Sequence, residues 1–181
     1  MKICEARVIV LTGPTSVGKT TTAFNLVDTL GASYLSTSEL IKKSSTRTIN
    51  SRRKLQDAGD KLDRETNHSW IAEEVRKQHQ KNLDLSIIVD APRVPAQIAA
   101  IEKLVQIPVC HIHLNARAST IRSRYSKRNR QIDLDLQISE IQAHITESWH
   151  DELSKIANLC VWVDGLSANE VSEKIEKYLQ D

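Results

Sequence analysis

The chain has 181 residues, of which 40% are hydrophobic and 27% are charged, and its formal net charge is +2 at pH 7. This length and composition are typical of one globular domain, and so mild a net charge does not by itself indicate a nucleic-acid-binding protein. The sequence contains no stretch of 18 or more apolar residues and no apolar signal segment. We therefore expect a cytoplasmic protein that does not associate with membranes.

The predicted elements of the first third alternate between strand and helix. Residues 3–11 form an apolar run that is typical of a strand buried on both faces. Residues 19–30 follow as a helix that ends before Gly31, a common helix-terminating residue. A short strand is predicted over 33–36, and a helix begins near Ser38.

The middle of the chain continues the alternation. Two helices are predicted, over 51–63 and 65–82, before a third apolar strand over 85–90. Pro95 suits the first turn of the next helix, and residues 109–114 read as a fourth strand.

The last third repeats the pattern. A basic helix is predicted from Arg117 to about Arg130, followed by a helix over 136–156 and a fifth strand over 159–163. Ser167 and the residue three positions later, Glu170, form a capping box that starts the terminal helix. The alternation predicts an α/β fold, a single domain over 1–181 in which helices cover both faces of an about five-stranded parallel sheet.

The turn after the first strand matches the pattern G-x-x-x-x-G-K-[ST] of a P-loop. In such a loop the backbone N–H groups and the helix N-terminus point at phosphate. Lys19 would reach the β- and γ-phosphates, and the Thr20 hydroxyl would coordinate Mg²⁺. The predicted ATP-binding residues are Gly13, Pro14, Thr15, Ser16, Val17, Gly18, Lys19, Thr20 and Thr21.

A carboxylate at the end of the third strand supplies the second half of this site. Asp90 ends an apolar strand where a Walker B aspartate belongs, and we predict that it binds Mg²⁺ together with Thr20. Its neighbour is Ala91, so the glutamate that activates water in many P-loop ATPases is missing, and no Asn-Lys-x-Asp motif for guanine occurs. These features favour a kinase that uses ATP and Mg²⁺ over a hydrolase.

With these motifs the chain resembles the nucleoside monophosphate kinase-like P-loop kinases, which include adenylate kinases, bacteriophage deoxynucleoside monophosphate kinases and animal phosphomevalonate kinases. Residues 36–40, Ser-Thr-Ser-Glu-Leu, resemble the start of the acceptor-site helix of adenylate kinases. Asp90-Ala91-Pro92-Arg93 resembles a shortened Asp-Gly-Phe-Pro-Arg element, whose arginine binds the acceptor phosphate. The resemblance implies an acceptor-binding segment over about 37–82 and a lid over about 117–133.

The acceptor site is predicted to contain Ser38, Arg53, Arg64 and Arg93. A phosphate-bearing acceptor needs about two arginines, and Arg53 and Arg93 are the first candidates. The alternative is that the charges between the second and third strands are exposed helix charges, such as an i, i+4 pair of Asp60 with Arg64.

The predicted lid is a basic segment. No acidic residue occurs between Glu102 and Asp133, and Arg124 and Arg128 share one helical face at i, i+4. The resemblance implies that such arginines stabilise the transferring phosphoryl group, so the predicted catalytic residues are Lys19, Asp90, Arg124 and Arg128. The alternative is a solvated basic helix face. The fold class that results is a three-layer α/β/α P-loop fold with a short basic lid.

Three functions remain open from the sequence. The first is transfer of the γ-phosphoryl group of ATP to a (deoxy)nucleoside monophosphate. The second is a kinase of another small acceptor, such as phosphomevalonate or dephospho-coenzyme A. The third is a regulatory nucleotide-binding protein whose basic segment contacts nucleic acid or a partner, against which the aromatic content of 4% counts.

Overall fold

The computed structural model describes residues 6–45, 48–127 and 149–180. Its five strands are β1 (Val8–Thr12), β2 (Ser33–Ser36), β3 (Ile87–Asp90), β4 (Val109–Asn115) and β5 (Leu159–Trp162). They form one sheet in the order β2-β3-β1-β4-β5, and every neighbouring pair is parallel. All five residues of β1 are buried, as its continuous apolar run predicts for a central strand.

Helices cover both faces of this sheet. They are α1 (Lys19–Leu30), α2 (Thr37–Ser44), α3 (Arg52–Thr66), α4 (Trp70–Lys81), α5 (Pro95–Leu104), α6 (Ala118–Ser126), α7 (His150–Ile156) and α8 (Ala168–Gln180). One core cluster joins the sheet to α1 and α8, and a second joins the opposite face to α4, α5 and α7. The predicted three-layer α/β/α P-loop fold is confirmed. No helix in the described ranges is long and apolar enough to cross a membrane.

The boundary between α3 and α4 differs from the prediction. The second helix of this pair was expected from residue 65, whereas α3 runs on to Thr66 and α4 begins only at Trp70. Asn67 and His68 adopt left-handed conformations, with φ angles of 49° and 64°. A left-handed residue ends the helical hydrogen-bond ladder, and asparagine tolerates this conformation better than most residues.

Other boundaries agree more closely. The capping box at the start of α8 is confirmed, because the Ser167 N–H donates to Glu170 Oε2 at 2.8 Å and the Glu170 N–H donates to Ser167 Oγ at 3.3 Å. Two other boundaries differ from the prediction. The basic helix, expected from Arg117 to about Arg130, is α6 and ends at Ser126, followed by a turn at Lys127; within the region predicted as one helix over 136–156, Trp149 is a turn residue and α7 begins only at His150.

Candidate active site

The P-loop follows β1 at the centre of the sheet and packs tightly against the end of β4. Gly13 has a φ of 136°, and a Cβ on it would lie 2.3 Å from the carbonyl oxygen of Leu114. Gly18, at the start of α1, has a φ of 115°. Only glycine adopts the conformation of residue 13 and also allows so close an approach of two backbones. The close approach of the loop to β4 therefore requires glycine at position 13.

The P-loop lysine is folded back over its own loop. Lys19 Nζ donates to the carbonyl oxygens of Gly13, at 2.8 Å, and Pro14, at 2.9 Å. Charge-assisted bonds of this kind are stronger than neutral ones, so the ammonium group is held at the cavity wall.

A pair of oxygens suited to Mg²⁺ lies beside the loop. The Thr20 hydroxyl donates to Asp90 Oδ2 at 2.7 Å, and the Tyr34 hydroxyl donates to the same oxygen at 2.9 Å. The pairing of β1 with β3 sets Leu11 opposite Asp90, so the carboxylate comes to the sheet edge where the P-loop begins. Hydroxyl and carboxylate oxygens are ligands that Mg²⁺ prefers, and this donor set fits the ion.

A cavity of about 360 Å³ lies in front of these groups. All the predicted ATP-binding residues except Pro14 line it, together with Asp90. The start of α2, the start of α3 and the turn after β3 also line it, through the residues Thr37, Ser38, Arg52, Ala91, Pro92 and Arg93. The volume lies within the range of small-molecule sites.

The acceptor side differs from the prediction at two arginines. Ser38 and Arg93 line the cavity as expected, but Arg53 and Arg64 are exposed and do not line it. Arg52 lines it instead, and its guanidinium donates to Thr15 Oγ1 at 2.8 Å. Successive helix residues differ by about 100° in direction, so only one of two adjacent arginines can face the P-loop.

A buried hydrogen-bond chain fixes the turn that carries Arg93. The Arg93 N–H donates to Gln97 Oε1 at 2.7 Å, and Gln97 Nε2 donates to the two carboxylate oxygens of Asp63 at 2.8 and 3.0 Å. Trp70 Nε1 also donates to Asp63, at 2.7 Å. These hydrogen bonds link α3 and α4 to the turn after β3. Neither Gln97 nor Asp63 was predicted, although an aspartate on the apolar side of α3 was a usable signal.

The described part of the predicted lid contributes one arginine to the cavity. Arg124 lines it and donates to the Val17 carbonyl oxygen at 2.5 Å, whereas Arg122 is exposed. Arg128 lies outside the described residues. Asp164 anchors the start of α6, because it accepts from the Thr120 hydroxyl and the Arg117 N–H, and these bonds lower the pKa of its carboxyl.

A buried histidine pair, His111 and His113, lies beneath the loop. Thr12 Oγ1 is 2.7 Å from His111 Nε2 and 2.8 Å from His113 Nδ1. Burial lowers the pKa of His111 to about 4 and, with help from neighbouring His150 and Lys19, lowers that of His113 to about 3. Both rings are therefore neutral at pH 7 and take part in hydrogen bonding rather than in phosphate binding.

Comparisons with known proteins agree with this fold. The family described as AAA domain matches residues 8–153. None of the curated proteins matches.

Several solved kinases share the architecture. A shikimate kinase from Acinetobacter baumannii in complex with shikimate has a TM-score of 0.66 and 19% identity, over 97% of this chain and 93% of that chain. A gluconokinase from Sinorhizobium meliloti 1021 has a TM-score of 0.62 and 10% identity, over 99% and 94%. A shikimate kinase from Aquifex aeolicus vf5 has a TM-score of 0.61 and 14% identity, over 96% of each chain. At these low identities the structural similarity establishes the fold alone, and that fold is the one found in P-loop kinases.

Proposed function

Because the chain belongs to the AAA domain family and has the fold of P-loop kinases, we propose that it transfers the γ-phosphoryl group of ATP to a small phosphate-bearing acceptor. A (deoxy)nucleoside monophosphate is the first candidate acceptor. The observation that carries the proposal is that the Thr20–Asp90 pair lines the same cavity as Arg52 and Arg93.

The donor wall would bind ATP and Mg²⁺. Thr20 and Asp90 would hold the ion, and the P-loop N–H groups would cradle the phosphates. When bound, Mg²⁺ would neutralise charge on the phosphate oxygens. Lys19 would exchange the carbonyl oxygens of Gly13 and Pro14 for phosphate oxygens, and Arg124 would add positive charge on the lid side.

The chemical step needs positioning more than proton transfer. An oxygen of the acceptor phosphate forms a bond to the γ-phosphorus while the bond from that phosphorus to the β–γ bridging oxygen breaks, leaving ADP. Arg52 and Arg93 would hold the acceptor phosphate in line. The three arginines and Lys19 would balance the charge that collects on the transferring group.

The titratable groups of the cavity favour a phosphate acceptor over an alcohol. Among the described residues that line the cavity, Asp90 is the single carboxylate, and both Thr20 and Tyr34 donate to it. An alcohol acceptor needs a base for its proton, whereas a phosphate oxygen is already anionic at neutral pH. His150 is the described alternative base in the cavity. We expect His150→Gln to leave kcat within about threefold of wild type, and a loss of turnover would favour an alcohol acceptor.

A phosphotransfer panel tests the proposal. Purified protein is incubated with ATP and MgCl₂ and each ribo- and deoxynucleoside monophosphate in turn, and ADP is measured. We expect ADP formation that depends on one class of acceptor and is abolished by Lys19→Ala. Lys61→Ala, on the exposed face of α3, is the matched control. ADP formed equally without any acceptor would refute the kinase, and turnover of phosphomevalonate or dephospho-coenzyme A alone would move the acceptor to the second class.

The proposed lid role has its own test. Arg124→Ala and Arg128→Ala should each lower kcat by about 10³-fold with less effect on ATP affinity, the pattern of a group that acts on the transition state. Arg122→Ala removes an exposed charge from the same helix and is the control. An unchanged kcat for Arg124→Ala would assign that side chain to a purely structural contact with Val17.

A further inference from the structure

A small recess lies beside the main cavity, between α2, α3 and the turn after β3. Thr37, Ala91 and Arg93 line both the recess and the main cavity, so the two spaces adjoin at these residues. The free volume of the recess is about 10 Å³, close to the minimum that one water-sized group requires. It admits a single oxygen atom of a ligand rather than a ring.

One polar group in this recess lacks a partner. Gln56 lies on the buried face of α3 with only 2% of its surface exposed, and it lines the recess. Its Nε2 has no hydrogen-bond partner among the described residues. Buried polar groups in folded proteins are nearly always hydrogen-bonded, because a buried donor without an acceptor costs the full free energy of removing it from water.

A second buried glutamine in the same recess shows how a glutamine with a purely structural role is bonded here. Gln97 is 3% exposed, and both ends of its amide are used: Nε2 donates to Asp63, and Oε1 accepts from the Arg93 N–H. Gln97 therefore holds the wall together. Gln56 has no such contact from Nε2, although it is equally buried and lies on the neighbouring element.

The charged residues around the recess indicate which kind of group the Gln56 side-chain amide would bind. Asp60 and Asp63 are among the lining residues, so the recess carries carboxylates that disfavour an anionic group of a ligand. A neutral oxygen can accept from Gln56 Nε2 without that repulsion. Arg93 lines both the recess and the main cavity, and its positive charge would attract the anionic part of the same molecule.

We infer that the recess reads one uncharged oxygen of the acceptor, through a hydrogen bond donated by Gln56 Nε2, and so makes Gln56 a specificity-determining residue. This inference rests on the proposed kinase function. The oxygen is either a carbonyl of a nucleobase or a hydroxyl, and both accept the same bond.

The acceptor panel distinguishes the two sources. A base carbonyl predicts a higher kcat/KM for one or more of the guanosine, cytidine, uridine and thymidine monophosphates than for adenosine monophosphate, whose base has no carbonyl, in ribo and deoxy forms alike. A hydroxyl predicts a higher kcat/KM for ribonucleotides than for deoxyribonucleotides with any base, or turnover of a hydroxylated acceptor such as phosphomevalonate.

The decisive variants are Gln56→Met and Gln97→Met, which remove the amide from side chains of similar length. For Gln56→Met we expect an unchanged or higher Tm without ligands, and a rise of about tenfold in the KM of the acceptor with the KM of ATP unchanged. For Gln97→Met we expect a lower Tm, because it removes the hydrogen bonds from Gln97 Nε2 to Asp63 and leaves the Arg93 N–H without its acceptor.

The outcomes separate the inference from the proposed function. If wild type phosphorylates an acceptor and Gln56→Met has the same acceptor KM, the inference is overturned and the kinase stands. If Gln56→Met lowers Tm as much as Gln97→Met, Gln56 is structural and the inference is overturned too. If no acceptor is phosphorylated by wild type, the proposed function fails, and the Tm comparison of the two variants alone then decides for or against an open ligand-binding amide.

Discussion

Replacing Asp90 by asparagine removes one charge from the site while keeping the shape of the side chain. The hydroxyls of Thr20 and Tyr34 donate to Asp90 Oδ2 at 2.7 and 2.9 Å, and an asparagine oxygen can accept both bonds. The variant therefore separates the proposed metal-binding role of the carboxylate from its role in the fold.

The expected change in the stability of the ligand-free protein is small, because two effects oppose each other. Each hydrogen bond to a charged acceptor contributes about 1 kcal/mol more than one to a neutral acceptor, so two bonds lose about 2 kcal/mol. Asp90 is only 8% exposed, and removing its charge relieves a desolvation penalty of similar or larger size. We expect the free energy of unfolding to change by less than about 2 kcal/mol.

The effect on ligand binding should be much larger. A ligand at 100 times its Kd stabilises the folded state by about 2.7 kcal/mol, which corresponds to a rise in Tm of roughly 5–10 °C for a domain of this size. Wild type should show this rise with ATP and MgCl₂ and a smaller one with ATP and EDTA. Asp90→Asn should show no difference between the two, and its kcat should fall at least about 100-fold.

Thermal unfolding with and without Mg²⁺, together with ADP formation, measures both effects. Asp28→Asn, which removes an exposed carboxylate from α1, is the control for the change in net charge. If Asp90→Asn kept the wild-type Mg²⁺-dependent rise in Tm and the wild-type turnover, the assignment of Asp90 as a metal ligand would be refuted.

Further predictions concern the loop, the acceptor wall and the buried histidine pair. Gly13→Ala should destabilise the fold by at least about 3 kcal/mol, because its Cβ would overlap a backbone carbonyl of β4. Gly165→Ala, which has a positive φ but no atom within 4 Å of its Cβ, should cost less in chemical denaturation. If the two variants lose equal stability, the close approach is not what matters. Arg52→Ala should raise the KM of the acceptor about tenfold or more and Arg53→Ala should not, and the reverse order in steady-state kinetics would contradict the orientation of α3. The free energy of unfolding should fall as the pH drops from about 6.5 toward 4. Burial holds the pKa values of the pair at about 4 and 3, so the unfolded chain takes up protons that the folded chain refuses, at up to about 1.4 kcal/mol per pH unit and histidine. In chemical denaturation at pH 6.5 and 4.5, His113→Gln should show a smaller loss of stability on acidification than the wild type. His79→Gln, on α4, is the control, because it keeps both His111 and His113 and should retain the pH dependence that they cause. An equal pH dependence in the wild type and His113→Gln would refute this account.

The sequence by itself determined the donor side of the site. A P-loop is a local structure, since its glycines, lysine and threonine lie within one turn between a buried strand and a helix. The position of Asp90 was also predictable, because the ends of neighbouring parallel strands meet at one sheet edge. The prediction that Thr20 and Asp90 act together required only those two local patterns, and their oxygens lie 2.7 Å apart.

The residues that line the proposed acceptor side were decided by the tertiary structure. Arg52 and Arg53 are adjacent in the sequence and identical in chemistry, and only the rotation of α3 about its axis, set by its packing on α2 and α4, turns Arg52 toward the P-loop. Gln56 has no sequence signal of its own, since an open buried amide exists only once the surrounding elements exclude water from it. Local patterns report what a segment can do, whereas which of its side chains faces a ligand depends on contacts between segments that are far apart in the chain.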